Sequence, residues 1–344
     1  MRAAVFSPDA KFRLEELTLP APQAHEAVVA VEACGICGSD RQLVHHGDAP
    51  SGTRFPAVLG HEIAGAIVAL GRTQEGRNPE PWRVGDKVLV YPFVGCGACR
   101  LCQAGLPQLC PSQQVIGYHR WGGFADQVLV PMGSLLPRPA SASAAAAALL
   151  VDAFATPFHA MRQVRCAPGE RVLVCGAGGL GTAALYLAKA MNAGAVGLLS
   201  RRPEGLAELP TGLADEGWTW SDTSRKAGRE IRRWAQGGVD VVIDTTGSAE
   251  LVEFALDVLR PGGRIALVGM QPEEVRLPLA KTVRRGVTLS ASYGSTMEDI
   301  RQLLKLVDAG QLNPESLVGA TYALADIDTA FAAPVGGGRT VMVP

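Results

Sequence analysis

Cys96, Cys99 and Cys102 form a C-x-x-C-x-x-C run, and Cys110 follows after seven intervening residues. Four thiolates at that spacing can surround one zinc ion on a single loop. With all four positions filled by protein, such an ion is structural, because no place remains for a substrate. A second stretch with chemistry in it is Arg171-Val-Leu-Val-Cys-Gly-Ala-Gly-Gly-Leu-Gly181. A short buried strand leads into Gly176, Gly178 and Gly181 in the order G-x-G-x-x-G, with Gly179 and Leu180 between the last two. Helical periodicity follows over 182–191. Strand, glycine turn and helix start in that order present backbone N–H groups to a pyrophosphate. The spacing therefore predicts dinucleotide binding at 176–181.

The elements around these groups divide the chain. Residues 3–6, 12–16, 26–33, 63–70 and 84–90 read as strands separated by turn signals, and 122–131 as a strand closing this part. A histidine-containing loop at His45-His46-Gly47 and a polar surface loop over 72–83 are expected between them. The Ala-rich run 141–150 reads as a helix capped by Ser141 or Ser143. From 171 onward the pattern alternates: strands at 171–175, 195–200, 239–244 and 263–269, helices at 182–191, 224–235 and 249–259. That alternation is the mark of a parallel, doubly wound sheet, so the fold class is α/β.

Bulk composition narrows the function. With 344 residues, 47% hydrophobic and 19% charged, the chain can bury two cores. A net charge of -1 gives no basic excess for nucleic acid or an anionic membrane surface. The basic residues of 224–235 (Arg225, Lys226, Arg229, Arg232, Arg233) fit a solvated helix face. The apolar run near 144–151 is too short to span a bilayer. The start, Met-Arg-Ala-Ala-Val-Phe, reads as a strand and not a signal peptide, so the expectation is a cytoplasmic protein. Eight cysteines in clusters suit metal binding in a reducing compartment better than disulfides.

Seven motifs, in order, resemble one family over nearly the whole chain: the zinc-dependent medium-chain alcohol dehydrogenases, sorbitol and threonine dehydrogenases among them. The motifs are Cys34-Gly-Ile-Cys-Gly-Ser-Asp40, Gly60-His-Glu62, the cysteine lobe 96–110, Gly122-Gly-Phe-Ala125, the glycines of 176–181, Asp244-Thr-Thr-Gly247 and Leu259-Arg-Pro-Gly-Gly-Arg-Ile265. Asp126 stands where relatives usually have Glu. The resemblance implies a GroES-like β-rich catalytic domain over 1–152 and 293–344, with a Rossmann domain inserted over 153–292 and the active site in the cleft between them. It implies two zinc ions per chain, the second catalytic and held by Cys37, His61 and either Glu62 or Asp152, with Cys34 left to packing. Zinc would act as a Lewis acid on the substrate oxygen while hydride passes between carbon and nicotinamide. Ser39 stands at the family's proton-relay position. Relatives often continue that relay to a His five residues after the zinc cysteine, where this chain has Gln42, which cannot titrate; His45 or His46 could serve through water.

For the cofactor, the resemblance points to Thr245 beside the glycine turn and to Arg339 as a late basic residue on the pyrophosphate. The second Rossmann strand ends at Ser200, followed by Arg201 and Arg202, where NAD-specific relatives carry a carboxylate for the ribose 2′-hydroxyl. Two guanidiniums suit a 2′-phosphate, so NADP(H) is expected over NAD(H). Phe93, Tyr118, His119, Trp121 and Tyr293 are candidates either for pocket lining or for core. The function expected is hydride transfer between a secondary alcohol, polyol or sugar-like substrate and NADP(H), in a homodimer or homotetramer. The alternatives are an NAD-dependent enzyme of the same fold, a zinc-free quinone or enone reductase, and a nucleotide-binding protein without turnover.

Overall fold

The computed structural model describes residues 1–8, 10–47, 49–72, 82–220 and 225–344. The polar loop expected over 72–83 lies mostly outside them. The chain divides into two compact units. One comprises Met1–Ala153, Thr296–Pro334 and Gly338–Pro344; the other comprises Phe154–Ser295 and Val335–Gly337.

The first unit is built on the strand Glu26–Gly35, which is buried along most of its length. Its run of Val and Ala suits a strand covered on both faces. It pairs antiparallel with Glu62–Leu70, Gln127–Pro131 and Arg339–Val343 in a seven-stranded sheet. Arg2–Ser7, Ala10–Glu16 and Ala57–Val58 make a separate three-stranded sheet. Tyr91, Phe124, Leu59, Ile63 and Leu89 are among its largest fully buried side chains. Each such side chain contributes roughly 1.5–3 kcal/mol through burial.

One expectation changes here. The segment holding His45 and His46 is no loop but the end of a helix, Gly38–His46. Asp40 accepts from the Cys37 backbone at its start, and Gly47 ends it in the left-handed region (φ 76°). The apolar segment Ala144–Gln163, which extends past the run 144–151, is by length and composition alone long enough to cross a membrane. It is nevertheless broken into Ala144–Ala148, the 3-10 turn Leu149–Val151 and Ala155–Gln163, and its most apolar window is 89% buried inside the fold. Ser143, not Ser141, caps its first helix: Ala146 N donates to Ser143 Oγ at 3.1 Å.

The second unit is a six-stranded, wholly parallel sheet with helices between its strands. Its spatial order is Glu216–Thr219, Ala195–Ser200, Arg171–Cys175, Val239–Asp244, Leu259–Leu267, Thr288–Ala291. In chain order that is 3-2-1-4-5-6, a doubly wound sheet whose direction of winding reverses between the first and fourth strands. Cys175 lies opposite Asp244 at that reversal, so the turn after Cys175 and the loop after Asp244 emerge together. The edge strands 216–219 and 288–291 lack the apolar periodicity that marked the central ones. The helix after the turn starts at Gly179, three residues before its periodicity becomes visible.

Gly181 sits in the first turn of that helix against the turn backbone. A Cβ there would stand 1.8 Å from Gly176 O. The variant Gly181→Ala must push helix and strand apart, at a cost of about 1–3 kcal/mol. Thermal unfolding should show a lower midpoint for this variant. Melting identical to wild type would mean the contact is looser than described.

Candidate active site and metal centres

Four side chains of the first unit converge at one end of its sheet. The pairing of Glu26–Gly35 with Glu62–Leu70 sets Glu62 opposite Gly35, which brings His61 beside the chain that leaves Gly35. Cys37, two residues on, is the N-cap of helix Gly38–His46. Asp152 follows the 3-10 turn Leu149–Val151. One ligand atom from each of Cys37, His61, Glu62 and Asp152 lies within 4.8 Å of the others, and all four residues are buried.

Within this group Asp152 Oδ2 is 3.4 Å from Cys37 Sγ and 3.8 Å from His61 Nε2. Zinc bonds of about 2.0–2.3 Å in a tetrahedron separate neighbouring ligand atoms by roughly 3.3–3.8 Å, so the two distances to Asp152 Oδ2 are those of a ligand set. His61 Nδ1 points the other way, 3.5 Å from Asp40 Oδ1, and has no hydrogen-bond partner closer. A carboxylate behind the imidazole turns Nε2 towards a metal. A thiol, an imidazole and a carboxylate therefore fit zinc here by geometry and chemistry. Glu62 lies within the same reach but is engaged by another partner. Its two oxygens accept from Arg339, Oε1 from Nη2 at 2.5 Å and Oε2 from Nε at 3.2 Å.

The Arg339 guanidinium is packed into this group. Its Nη2 also lies 3.4 Å from Asp152 Oδ2 and 3.7 Å from Cys37 Sγ. The backbone accounts for its place: Val341 pairs with Gly35, and Ile36 N donates to Thr340 O at 2.9 Å. Electrostatics accounts for its role, since buried carboxylates need a counter-charge. Burial opposes the charge on Arg339, but Glu62, Cys37 and Asp152 outweigh it and hold the guanidinium protonated. Burial pushes the Glu62 carboxyl up to about 8 while Arg339 pulls it down. Burial likewise opposes charge on His61, yet Asp40 and its other neighbours raise the imidazole well above its ordinary value.

Two residues near this group had no assigned role. Asp40 is fully buried and receives the Cys37 backbone N–H at 3.0 Å. Its signal in the sequence was only the spacing of a helix cap. Tyr118, undecided between pocket and core, is buried with its ring 5.4 Å from that of His61, and its hydroxyl lies 2.8 Å from Ser39 Oγ. Burial, and then Asp40, push its phenol well above the ordinary value, so it stays an O–H group. His119 is instead a clamp: its Nδ1 accepts from Val115 N and its Nε2 donates to Ser51 O, both at 2.9 Å.

The second unit carries the expected nucleotide residues at the winding reversal. The helix Gly179–Ala190 starts from Gly178 with no side chain capping its first N–H groups, and a Cβ on Gly178 would meet nothing within 4 Å. Unclaimed helix N–H groups beside open backbone fit a phosphate. Thr245 Oγ1 donates to Cys175 O at 2.8 Å, which ties the neighbouring loop to this turn. Ser200 is buried, and its Oγ is held by the Arg202 backbone at 2.9 and 3.1 Å. Arg201 and Arg202 are exposed, and Arg202 Nη1 donates to Val335 O at 2.8 Å.

Cys96, Cys99, Cys102 and Cys110 converge in the first unit, each a free thiol. The pairs Cys96–Cys102 and Cys99–Cys110 stand 4.0 and 3.8 Å apart between sulfurs. A zinc tetrahedron with bonds of about 2.3 Å has edges of roughly 3.8 Å. Backbone N–H groups, those of Ala98 and Cys99 foremost, lower the Cys96 thiol to about 6, and the Cys102 N–H lowers Cys99. Desolvation raises Cys102 to about 12. Cys99→Ser should remove about one zinc per chain, by metal analysis, and lower the melting midpoint by on the order of 5 °C. A variant with unchanged metal content and midpoint would refute a structural zinc here.

Comparison with known proteins gives the same family for both parts of the chain. Residues 23–140 match the family model described as alcohol dehydrogenase GroES-like domain, and residues 179–309 that described as zinc-binding dehydrogenase. The chain is 32% identical to an L-galactonate-5-dehydrogenase of Escherichia coli K12, over 90% of this chain and 88% of that one. It is 31% identical to an NAD-dependent alcohol dehydrogenase of Sulfurisphaera tokodaii, over 96% of each. A solved structure from Sinorhizobium meliloti 1021, bound to NADP, superposes with a TM-score of 0.87 at 27% identity, over 100% of this chain and 99% of that one. The chain belongs to the zinc-dependent medium-chain alcohol dehydrogenase family, with a GroES-like domain and an inserted Rossmann domain, and is an NAD(P)-dependent alcohol dehydrogenase.

Proposed function

We propose that the chain is a zinc-dependent oxidoreductase that moves hydride between a secondary alcohol, polyol or sugar-like substrate and NADP(H). The observation that carries this reading is the buried set Cys37, His61 and Asp152, with ligand atoms 3.4 and 3.8 Å apart. Three protein donors leave a tetrahedral ion one place for a substrate oxygen. Asp152 is the third ligand in this reading, because Arg339 holds both Glu62 oxygens, at 2.5 and 3.2 Å, and reaches Asp152 only through Oδ2 at 3.4 Å. When bound, zinc supplies Lewis acidity and the nicotinamide accepts or returns the hydride. The chain's own part is to hold and orient. Asp40 fixes the face of His61, and Ser39 Oγ meets the hydroxyl of the substrate. The backbone at 176–181 takes the pyrophosphate, with Thr245 beside it.

Several finer points follow from the same residues. Arg201 and Arg202, in place of a carboxylate, favour a 2′-phosphate and hence NADP(H). The sugar-acid relative makes a polyhydroxylated substrate the class to test first. Four cysteines spaced as a metal lobe suit a reducing compartment, which supports a cytoplasmic location. Met270, Leu277, Leu279 and Val283, exposed in the segment between strands Leu259–Leu267 and Thr288–Ala291, suit contact with a second copy in a homo-oligomer.

A panel of alcohols and ketones, read at the nicotinamide absorbance with NADP and NAD in parallel, tests the activity. Cys37→Ser should lower kcat by about 10³-fold or more while the fold survives. Persistent activity would place the catalytic metal elsewhere. Replacing Arg201 and Arg202 together by Ala should raise KM for NADP by about tenfold or more and leave KM for NAD nearly unchanged. An unchanged KM for NADP would favour the NAD-dependent reading.

A further inference from the structure

We propose that Tyr118 is a positioning residue for Ser39, holding its hydroxyl oxygen in the place where it meets a substrate hydroxyl. The proposal rests on the dehydrogenase reading above. Tyr118 Oη lies 2.8 Å from Ser39 Oγ and 3.1 Å from Asp40 Oδ1. A phenol has one proton to give, and Tyr118 has two acceptors in reach, Ser39 Oγ being the nearer. Donation to Ser39 fixes where the serine oxygen lies and leaves a second lone pair and its own proton for a substrate hydroxyl. Ser39 is only half-buried, whereas Asp40 and Tyr118 are buried, so the serine is the accessible end of this chain of hydroxyls.

The tyrosine is held by the backbone around it. Tyr118 N and His119 N both donate to Val115 O, at 3.1 and 2.8 Å. The His119 ring bridges Val115 N and Ser51 O and closes that turn. Gly122 then lets the turn lie directly on the chain entering His61, since a Cβ there would stand 2.2 Å from Gly60 O. Asp40 is fixed from three directions: it takes the Cys37 N–H at 3.0 Å, stands 3.5 Å from His61 Nδ1 and lies 3.1 Å from Tyr118 Oη. The serine oxygen is thus held by a group that cannot easily turn.

The test is Tyr118→Phe, which keeps the ring against His61 and removes the hydroxyl. With the best alcohol from the panel, kcat should fall about tenfold while KM stays within about twofold. Zinc content and melting midpoint should match wild type. In a Ser39→Ala background the same change should have no further effect, because the two hydroxyls act as one unit. A crystal structure of Tyr118→Phe should show the Ser39 side chain spread over more than one rotamer. Unchanged kcat in an active enzyme, an additive loss on Ser39→Ala, or loss of zinc or stability along with kcat would each overturn the proposal. If wild type itself transfers no hydride to or from any alcohol, the dehydrogenase reading has failed instead. The Ser39 rotamer then still decides whether the tyrosine holds it.

Discussion

A buried group of charges constrains the catalytic unit more than any other interaction. Glu62, Asp152 and Asp40 are carboxyls removed from water, gathered around a thiol and an imidazole. A cluster of that sign cannot be buried unless something positive is buried with it. Arg339 provides that charge from the far end of the chain, through bonds to Glu62 and Asp152. The strand Arg339–Val343 pairs with Glu26–Gly35, Val341 opposite Gly35, and that register delivers the guanidinium. The same constraint divides the labour between two adjacent acids. Glu62 takes the two closer bonds from the arginine, and Asp152 Oδ2 stands among the arginine, the thiol and the imidazole.

The two units solve the problem of close approach by the same means. In the nucleotide unit, the turn at Gly176 and the helix at Gly181 touch backbone to backbone, which leaves helix N–H groups bare for an anion. In the metal unit, Gly122 against Gly60 lets the turn carrying Tyr118 lie on the chain carrying His61. A β-carbon in either place would add about the thickness of an atom exactly where ligand geometry is set by tenths of an ångström. Precise sites in this protein are made by leaving side chains out as much as by putting them in.

Much of this was legible in the residues. The cysteine lobe is local, so spacing alone places its four sulfurs, and the structure brings them within a zinc tetrahedron's reach. The glycine turn is local too, and the periodicity of 171–191 gave strand and helix to within three residues. The edge strands Glu216–Thr219 and Thr288–Ala291 were missed because half-exposed strands carry a weak apolar pattern. The helix Gly38–His46 was mistaken for a loop at its end, because two histidines and a glycine look like punctuation. The capping carboxylate of Asp40 and the left-handed Gly47 were the signals that would have corrected it.

Residue types and short spacings by themselves determined the parallel α/β pattern, the four-thiol lobe and the glycine turn. Those features depend on near neighbours in the chain, where connectivity does the positioning. The family motifs also named Cys37, His61, Glu62 and Asp152 as candidate ligands, drawn from separate stretches of the sequence. Only the tertiary structure decided which carboxylate faces Cys37 and His61, that Arg339 balances the buried acids, and that Tyr118 reaches Ser39. These contacts join residues tens to hundreds of positions apart. Sheet register and the need to neutralise buried charge choose such partners, and neither can be read from residue type alone.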